Sequence, residues 1–284
     1  MKKLIRSLLA VILIILLAGC SPNSHTGTSV SANELIVHYL DVGQGDSEIL
    51  QCNNQTMLID AGTNDSTKTL IQDIKDLGIT RFDIVVATHP HEDHIGGMDA
   101  VIKQFDIGTV YMPDVTTTTV TFSDFLKSLQ NKNITPIHPT PGTVFNLGNA
   151  QCTVLAPNSV TYTDLNNYSI VIRVVLGSNS FLFTGDAQAQ SETEMLAKNY
   201  NLKADVLKVG HHGSDTATSP AFLAAVNPKY AVIEVGAGND YGHPHAVTLQ
   251  KLATAGVTVY RTDLNGTITI TSDGSNLTIN KAKS

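Results

Sequence analysis

Thr88-His89-Pro90-His91-Glu92-Asp93-His94-Ile95-Gly96-Gly97 packs three imidazoles and two carboxylates into the six positions from His89 to His94. A solvated polar turn is the ordinary alternative, but turns rarely reach this density of metal-ligating groups, and the stretch reads as a site for two metals. The apolar run Ile84 to Ala87 before it reads as a buried strand. Pro90 biases His89 toward extended backbone, so His89 and His91 are expected to project to one side and serve one ion. Asp93 and His94 then open a helix and point at a second ion, while Gly96 and Gly97 permit close backbone packing.

Two later segments extend the pattern. Thr184-Gly185-Asp186-Ala187 follows the apolar strand Phe181 to Phe183, and by itself it is more often a turn. Val206 to Ser214 carries His211 and His212 just past another strand, where a polar loop is the bland reading. In this order, His-x-His-x-Asp-His, strand-Asp and strand-His-His, the chain resembles the metallo-β-lactamase superfamily. The resemblance implies an α/β fold, the αββα four-layer sandwich, with Asp186 bridging two divalent metals. It further implies a metal set of His89, His91, Asp93, His94, Asp186 and His212. His212 is preferred to His211 because Gly213 follows it; His211 is then left to touch substrate or leaving group, and the reverse assignment stays open.

Three more segments narrow the resemblance: Leu40-Asp41-Val42-Gly43-Gln44-Gly45-Asp46-Ser47, Leu58-Ile59-Asp60-Ala61-Gly62 and Asn239-Asp240-Tyr241-Gly242-His243-Pro244-His245. Separately they read as a glycine-rich hairpin turn and a Pro-started helix N-terminus. Together with Lys208 to Ser214 they are similar to the extracellular hydrolase domain of ComEC-type competence proteins, over nearly all of residues 34–280. One departure concerns the first metal. Many superfamily members place a histidine before the strand that leads to the bridging aspartate, where this chain has Leu165-Asn166-Asn167-Tyr168-Ser169. With only His89, His91 and Asp186, the first site loses nitrogen character, so zinc is expected and manganese is a credible alternative, the gap being filled by His243 or water.

The chemistry implied is hydrolysis. Two cations sharing Asp186 acidify the water between them from about 15.7 toward neutrality, providing hydroxide without a dedicated protein base. Phosphoester cleavage fits, because two metals hold the nucleophile and neutralise phosphoryl charge. Asp93, His211, Lys208, His243 and Tyr241 are the candidate catalytic residues. Lys208 either reaches the phosphate or pairs with a carboxylate, and Tyr241, His243 and His211 are positioned in the sequence to donate protons to a leaving group. Asp41, Gln44, Asp46 and Asn166 are expected to steady the ligands from behind.

The N-terminus carries a separate message. Met1-Lys2-Lys3-Leu4-Ile5-Arg6 is basic, and Leu8 to Leu17 is an almost unbroken apolar run too short for a membrane span. Leu17-Ala18-Gly19-Cys20 resembles a bacterial lipobox with Cys20 as the lipidated first mature residue; a plain signal with an incidental cysteine is the alternative. Residues 1–19 are thus read as a lipoprotein signal peptide, 20–33 as a flexible tether and 34–284 as one hydrolase domain. The expectation is export across the cytoplasmic membrane and anchorage on its outer face, with a phosphoester substrate, DNA among the candidates, as partner and no stable protein partner inferred.

Composition sets the outer bounds. With 42% hydrophobic residues, the roughly 250 positions beyond the tether suit one large core. Loss of Lys2, Lys3 and Arg6 takes the formal charge from −7 to −10, which counts against long-range nonspecific grip on DNA. Cys52 and Cys152 are read as buried thiols in preference to a pair. Strands are expected near Leu35 to Leu40, Glu48 to Gln51, Thr56 to Ile59, Ile84 to Ala87, Thr109 to Met112 and Thr153 to Leu155. A second half is expected from Ile170 to Leu176, Phe181 to Phe183, Asp205 to Val209, Tyr230 to Glu234, Val257 to Tyr260 and Gly266 to Ile270. Helices are expected at Thr67 to Leu77, Asp124 to Gln130 and Ala189 to Asn199, and Thr116 to Thr121 as a loop or edge strand. Three functions compete: a surface phosphodiesterase acting on DNA or a phosphate-containing wall polymer, a β-lactam or other amide or ester hydrolase, and a non-catalytic surface binding lipoprotein. The missing imidazole disfavours the second, and the full ligand set disfavours the third.

Overall fold

The computed structural model describes residues 33–283; the signal segment, Cys20 and the tether up to residue 32 lie outside the described residues. The first half runs β1 (Leu35–Tyr39), β2 (Glu48–Cys52), β3 (Gln55–Ile59), α1 (Thr67–Asp76), β4 (Arg81–Val86), α2 (Glu92–Ile95), α3 (Met98–Gln104), β5 (Asp106–Tyr111) and α4 (Val120–Asn131). The second runs β6 (Val144–Leu147), β7 (Ala150–Ala156), β8 (Val171–Leu176), β9 (Asn179–Phe183), α5 (Ala189–Ala197), β10 (Val206–Lys208), α6 (Pro220–Val226), β11 (Tyr230–Ile233), α7 (Ala246–Thr254) and β12 (Thr258–Arg261). The short α8 (Thr262–Asn265), β13 (Ile268–Ser272) and β14 (Leu277–Lys281) close the chain.

Two seven-stranded sheets result, ordered β14-β13-β1-β2-β3-β4-β5 and β12-β11-β10-β9-β8-β7-β6. Each half begins with antiparallel neighbours and continues with parallel ones, joined by helices that cross the outer face. Three apolar layers hold the stack. Leu35, Val37 and Tyr39 of β1 alternate inward and meet Phe181 and Phe183 of β9 between the sheets, with Tyr39 and Phe183 stacked at 6.0 Å. On the outside of the first sheet, Leu70, Ile71 and Ile74 of α1 and Phe122 and Phe125 of α4 pack on Leu58 and Val85. Met195 of α5, Phe222 of α6 and Leu252 of α7 cover Leu182 and Leu207 of the second. The strands β3, β4, β9 and β10 bury apolar residues on both faces because each is covered twice. The order of layers is helix, sheet, sheet, helix.

Several boundaries differ from expectation. The strand foreseen at Gly266 to Ile270 does not join the second half: β13 pairs antiparallel with β1, Ile270 opposite Val37, and so returns to the first sheet. Strand β14 joins beside it with a mostly exposed face, which leaves no apolar alternation to read. Helix α4 starts at Val120 and not at Asp124, because the Thr119 side chain accepts a hydrogen bond from Phe122 N at 3.3 Å and caps it; Thr116 to Thr119 form no strand. Helix α6 was not foreseen, although Ser219-Pro220 is a start signal and Ser219 Oγ accepts from Phe222 N at 3.3 Å. Cys52 and Cys152 are buried free thiols in the layer between the sheets. Burial, and then the neighbouring Cys52, pushes the Cys152 thiol up to about 12.

Candidate metal centre

The carboxyl ends of five strands converge at one edge of the sandwich. Asp60 follows β3, His89 follows β4, Asp186 follows β9, His212 follows β10 and Glu234 follows β11. His91 caps α2 in extended backbone, and Asp93 and His94 occupy its single turn. Close packing positions that turn. A Cβ on Gly96 would run into the backbone of Thr63 and Asn64, and Gly96 N donates to Gly62 O at 2.8 Å. Gly45, at φ +150, lies so near Asp93 O that a side chain there would collide with it; Asp46 N donates to the same oxygen at 3.1 Å.

Asp186 Oδ2 is the common point of the cluster. It lies 3.2 Å from His94 Nε2, 3.6 Å from His212 Nε2, 3.8 Å from His211 Nε2 and 3.9 Å from His89 Nε2. Asp93 Oδ2 stands 3.1 Å from His212 Nε2, and His89 Nε2 stands 3.0 Å from His91 Nδ1. Donor atoms of Asp93, His94, Asp186 and His212 all fall within 4.8 Å of one another. His94 Nε2 and Asp186 Oδ1 are buried and find no hydrogen-bond partner among the described residues. Polar atoms converging at such cost without partners fit a cation-binding role.

The imidazoles are oriented from behind. His94 Nδ1 donates to Asp60 Oδ2 at 2.7 Å, and Asp60 also accepts from Thr88 N at 2.8 Å and Thr88 Oγ at 2.6 Å. His212 Nδ1 donates to Glu234 O at 2.9 Å. In both rings Nε2 is left facing Asp186, the orientation that ligating histidines need. Ser169 Oγ accepts from Asp186 N at 3.0 Å and approaches His89 Nδ1 at 3.4 Å, linking the two halves. Burial opposes a charge on His212, but Asp186 and Asp46 raise it to about 10. A divalent cation would replace such protons, so uptake of metal releases them.

Lys208 does not reach the cavity. It is fully buried, ion-paired with Asp46 and bonded to Gly185 O at 3.1 Å, so of its two expected roles it takes the carboxylate pairing. Asp46 supports the site as expected, since its Oδ1 lies 3.2 Å from His212 Nδ1. Asp41 does not: its carboxylate pairs with Lys283 at 2.8 Å on the surface. Behind Asp46 sit Glu48 and Glu234, both buried; burial and the Asp46 charge push Glu234 up to about 8. Gln44, Asn166, His211, Tyr241 and His243 all line an open cavity of about 700 Å³ above Asp186. Tyr241 is 67% exposed at its mouth. Burial, helped by His212, His211 and His245, pushes His243 down to about 4. Asp60, Thr88, Ser169, Glu48 and Glu234 received no role from the sequence; for Asp60 a signal was present, an acid directly after the apolar end of β3, and the structure sets it at φ 55.

The histidine pair is open to a direct test. His212 is buried with Nε2 turned to Asp93 and Asp186, whereas His211 is partly exposed and bonds Thr216 Oγ at 3.0 Å through Nδ1. His212→Ala is expected to weaken metal binding, and His211→Ala to retain metal while losing turnover. Metal titration of both variants decides it, and the reverse pattern exchanges their roles.

Residues 40–236 match the family model described as the metallo-β-lactamase superfamily. The chain belongs to that superfamily, whose fold goes with divalent metal ions and hydrolysis. It is 32% identical over 250 residues to ComE operon protein 3 of Bacillus subtilis (strain 168), covering 82% of this chain and 32% of that protein. It is 32% identical over 259 residues to competence protein ComA of Neisseria gonorrhoeae, covering 90% of this chain and 34% of that protein. The chain thus spans about a third of the length of these curated relatives. Among solved structures, the metallo-β-lactamase fold protein YhfI from Bacillus subtilis superposes with TM-score 0.57 at 12% identity, over 84% of this chain and 100% of that one.

Proposed function

We propose that the protein is a phosphodiesterase that uses two divalent cations held around Asp186. The observation that carries this reading is the convergence of Asp93, His94, Asp186 and His212 on one point, with His94 Nε2 and Asp186 Oδ1 buried without a hydrogen bond among the described residues, beneath an open cavity. His89 and His91 would hold one cation with Asp186, and Asp93, His94 and His212 the other, zinc being the first candidate and manganese the second. When bound, the pair supplies an acidified water and neutralises charge on the phosphoryl oxygens. The chain's own residues do the rest. Asp60, Asp46 and the Glu234 carbonyl fix the imidazoles, and His211, Tyr241 and His243 face the cavity where a leaving group departs.

The substrate class is DNA or a phosphate-containing wall polymer. One relative is named a competence protein, which favours DNA. The residues lining the cavity include Asp65, Glu92 and Asp240 but no lysine or arginine, so a strand would be held through its reacting phosphate and not along its backbone. Hydrolysis of bis(p-nitrophenyl) phosphate but not nitrocefin, with added zinc or manganese, is the expected result. Nitrocefin turnover alone would move the protein to the amide hydrolases, and no turnover of either would leave the binding-protein reading.

Leu17-Ala18-Gly19-Cys20 supports anchorage through lipid on Cys20, at the outer face of the cytoplasmic membrane. Among the described residues no helix is long and apolar enough to cross a membrane. Cys20→Ser is expected to release the protein from the membrane fraction or to leave an unprocessed precursor. A variant that fractionates with membranes at normal mature size would overturn the anchor.

A further inference from the structure

The first cation site is one donor short. His89, His91 and Asp186 offer three ligands, whereas divalent transition metals take four or more. We infer that the side-chain oxygen of Asn166 supplies the missing one, so that this site is built from two nitrogens and two oxygens. This rests on the two-cation reading proposed above.

Asn166 and Asn167 are neighbours in one tight turn, Leu165–Tyr168, yet their side chains have opposite fates. Asn167 Oδ1 accepts from Gln188 N at 3.2 Å and from Ser191 N at 3.3 Å, tying the turn to the start of α5. Asn166 lines the cavity with His91 and Asp186, and its Oδ1 is buried with no hydrogen-bond partner among the described residues. Its residue is 5% exposed. An unpaired carbonyl at that depth costs free energy unless something meets it. The turn itself is held without this amide: Asn166 N donates to Asp164 Oδ1 at 3.0 Å, and its carbonyl accepts from Ser169 N at 3.0 Å. Ser169 in turn grips Asp186 N and approaches His89 Nδ1. The turn is therefore fixed beside Asp186 and His89 through Ser169, with Asn166 in the wall of the same cavity. An amide oxygen in place of a third imidazole makes the site harder, which shifts its preference from zinc toward manganese.

Manganese and zinc titrations by calorimetry test this on the full chain, with circular dichroism as the folding control. The unmodified protein is expected to take up two manganese equivalents. In Asn166→Ala one of the two is expected to weaken by at least about ten-fold and the other to hold. Asn166→Asp keeps an oxygen in place and adds charge, so it is expected to tighten the same equivalent, and Asn166→His to move it toward zinc. Wild-type manganese affinities in both Asn166→Ala and Asn166→Asp would overturn the inference, and would leave the amide to substrate. Equal weakening of both equivalents would overturn it too, as the mark of a structural role. If the unmodified protein holds a single equivalent that responds to Asn166, the two-cation reading fails and the Asn166 ligand stands. A single indifferent equivalent, or none, removes both.

Discussion

Asp186→Ala is expected to abolish the proposed phosphodiester hydrolysis, by roughly 10³-fold or more, because several kcal/mol of transition-state stabilisation would depend on the cations it would join. The geometry singles out this residue. One oxygen of Asp186 lies within 3.9 Å of imidazoles from both halves of the fold, His89 and His94 from the first and His211 and His212 from the second. No other carboxylate at the centre makes that set of contacts: Asp93 faces His212 and His94, and Asp60 and Asp46 stand behind the rings. Loss of Asp186 should therefore disturb both cations, with metal content falling alongside the rate of bis(p-nitrophenyl) phosphate cleavage. Full activity in Asp186→Ala would sink the hydrolytic mechanism.

The second large effect is on stability. Lys208→Met should cost about 3–5 kcal/mol, since it takes from the buried Asp46 its lysine partner and leaves that charge to His212 and His94 alone. Lys208 is the buried cation facing Asp46, Glu48 and Glu234, each of them buried as well. Burial works against its charge, but Asp46, then Asp186 and the two glutamates, hold it above the ordinary lysine range. Urea denaturation reads the loss as a lower midpoint at unchanged slope. Arg81→Ala is the control: its pair with Asp83 is half exposed, and removal should cost less than about 1 kcal/mol. A Lys208→Met variant as stable as this control would show that the network carries no such weight.

What the sequence reveals of this centre follows from where its parts lie along the chain. His89 to His94 form one uninterrupted run, and both the extended His89-Pro90 step and the short helix after it are local effects, so the run is readable directly. Asp186 and His212 sit three and four residues beyond the ends of β9 and β10 and become readable only in company. Asp60, Thr88 and Ser169 serve the same centre from behind, but their partners are 34, 28 and 17 residues away and meet them only once the strands are paired. Lys208 shows the limit most clearly. Its neighbour in the sequence, Val209, leads straight to the histidines, yet its partner Asp46 lies 162 residues away, and only folding decides between phosphate and carboxylate. Asp41 fails for the same reason in reverse, since Lys283 claims it from the far end of the chain. Strand β13 was legible as a strand but not as a member of the first sheet, because its pattern of inward residues, Ile268 and Ile270, fits either face-to-face layer equally well.

The split of the centre between the two sheets bears on how the protein matures. The first half ends with His89, His91, Asp93 and His94 in place, and Asp186 and His212 arrive only with the second. A half-folded chain would therefore offer a cation an incomplete grip, and firm capture would wait until both halves have docked. Cation retention would then report on folding: a chelator should strip partly assembled molecules readily and finished ones slowly, so that the rate of metal loss counts how much of a preparation is correctly built.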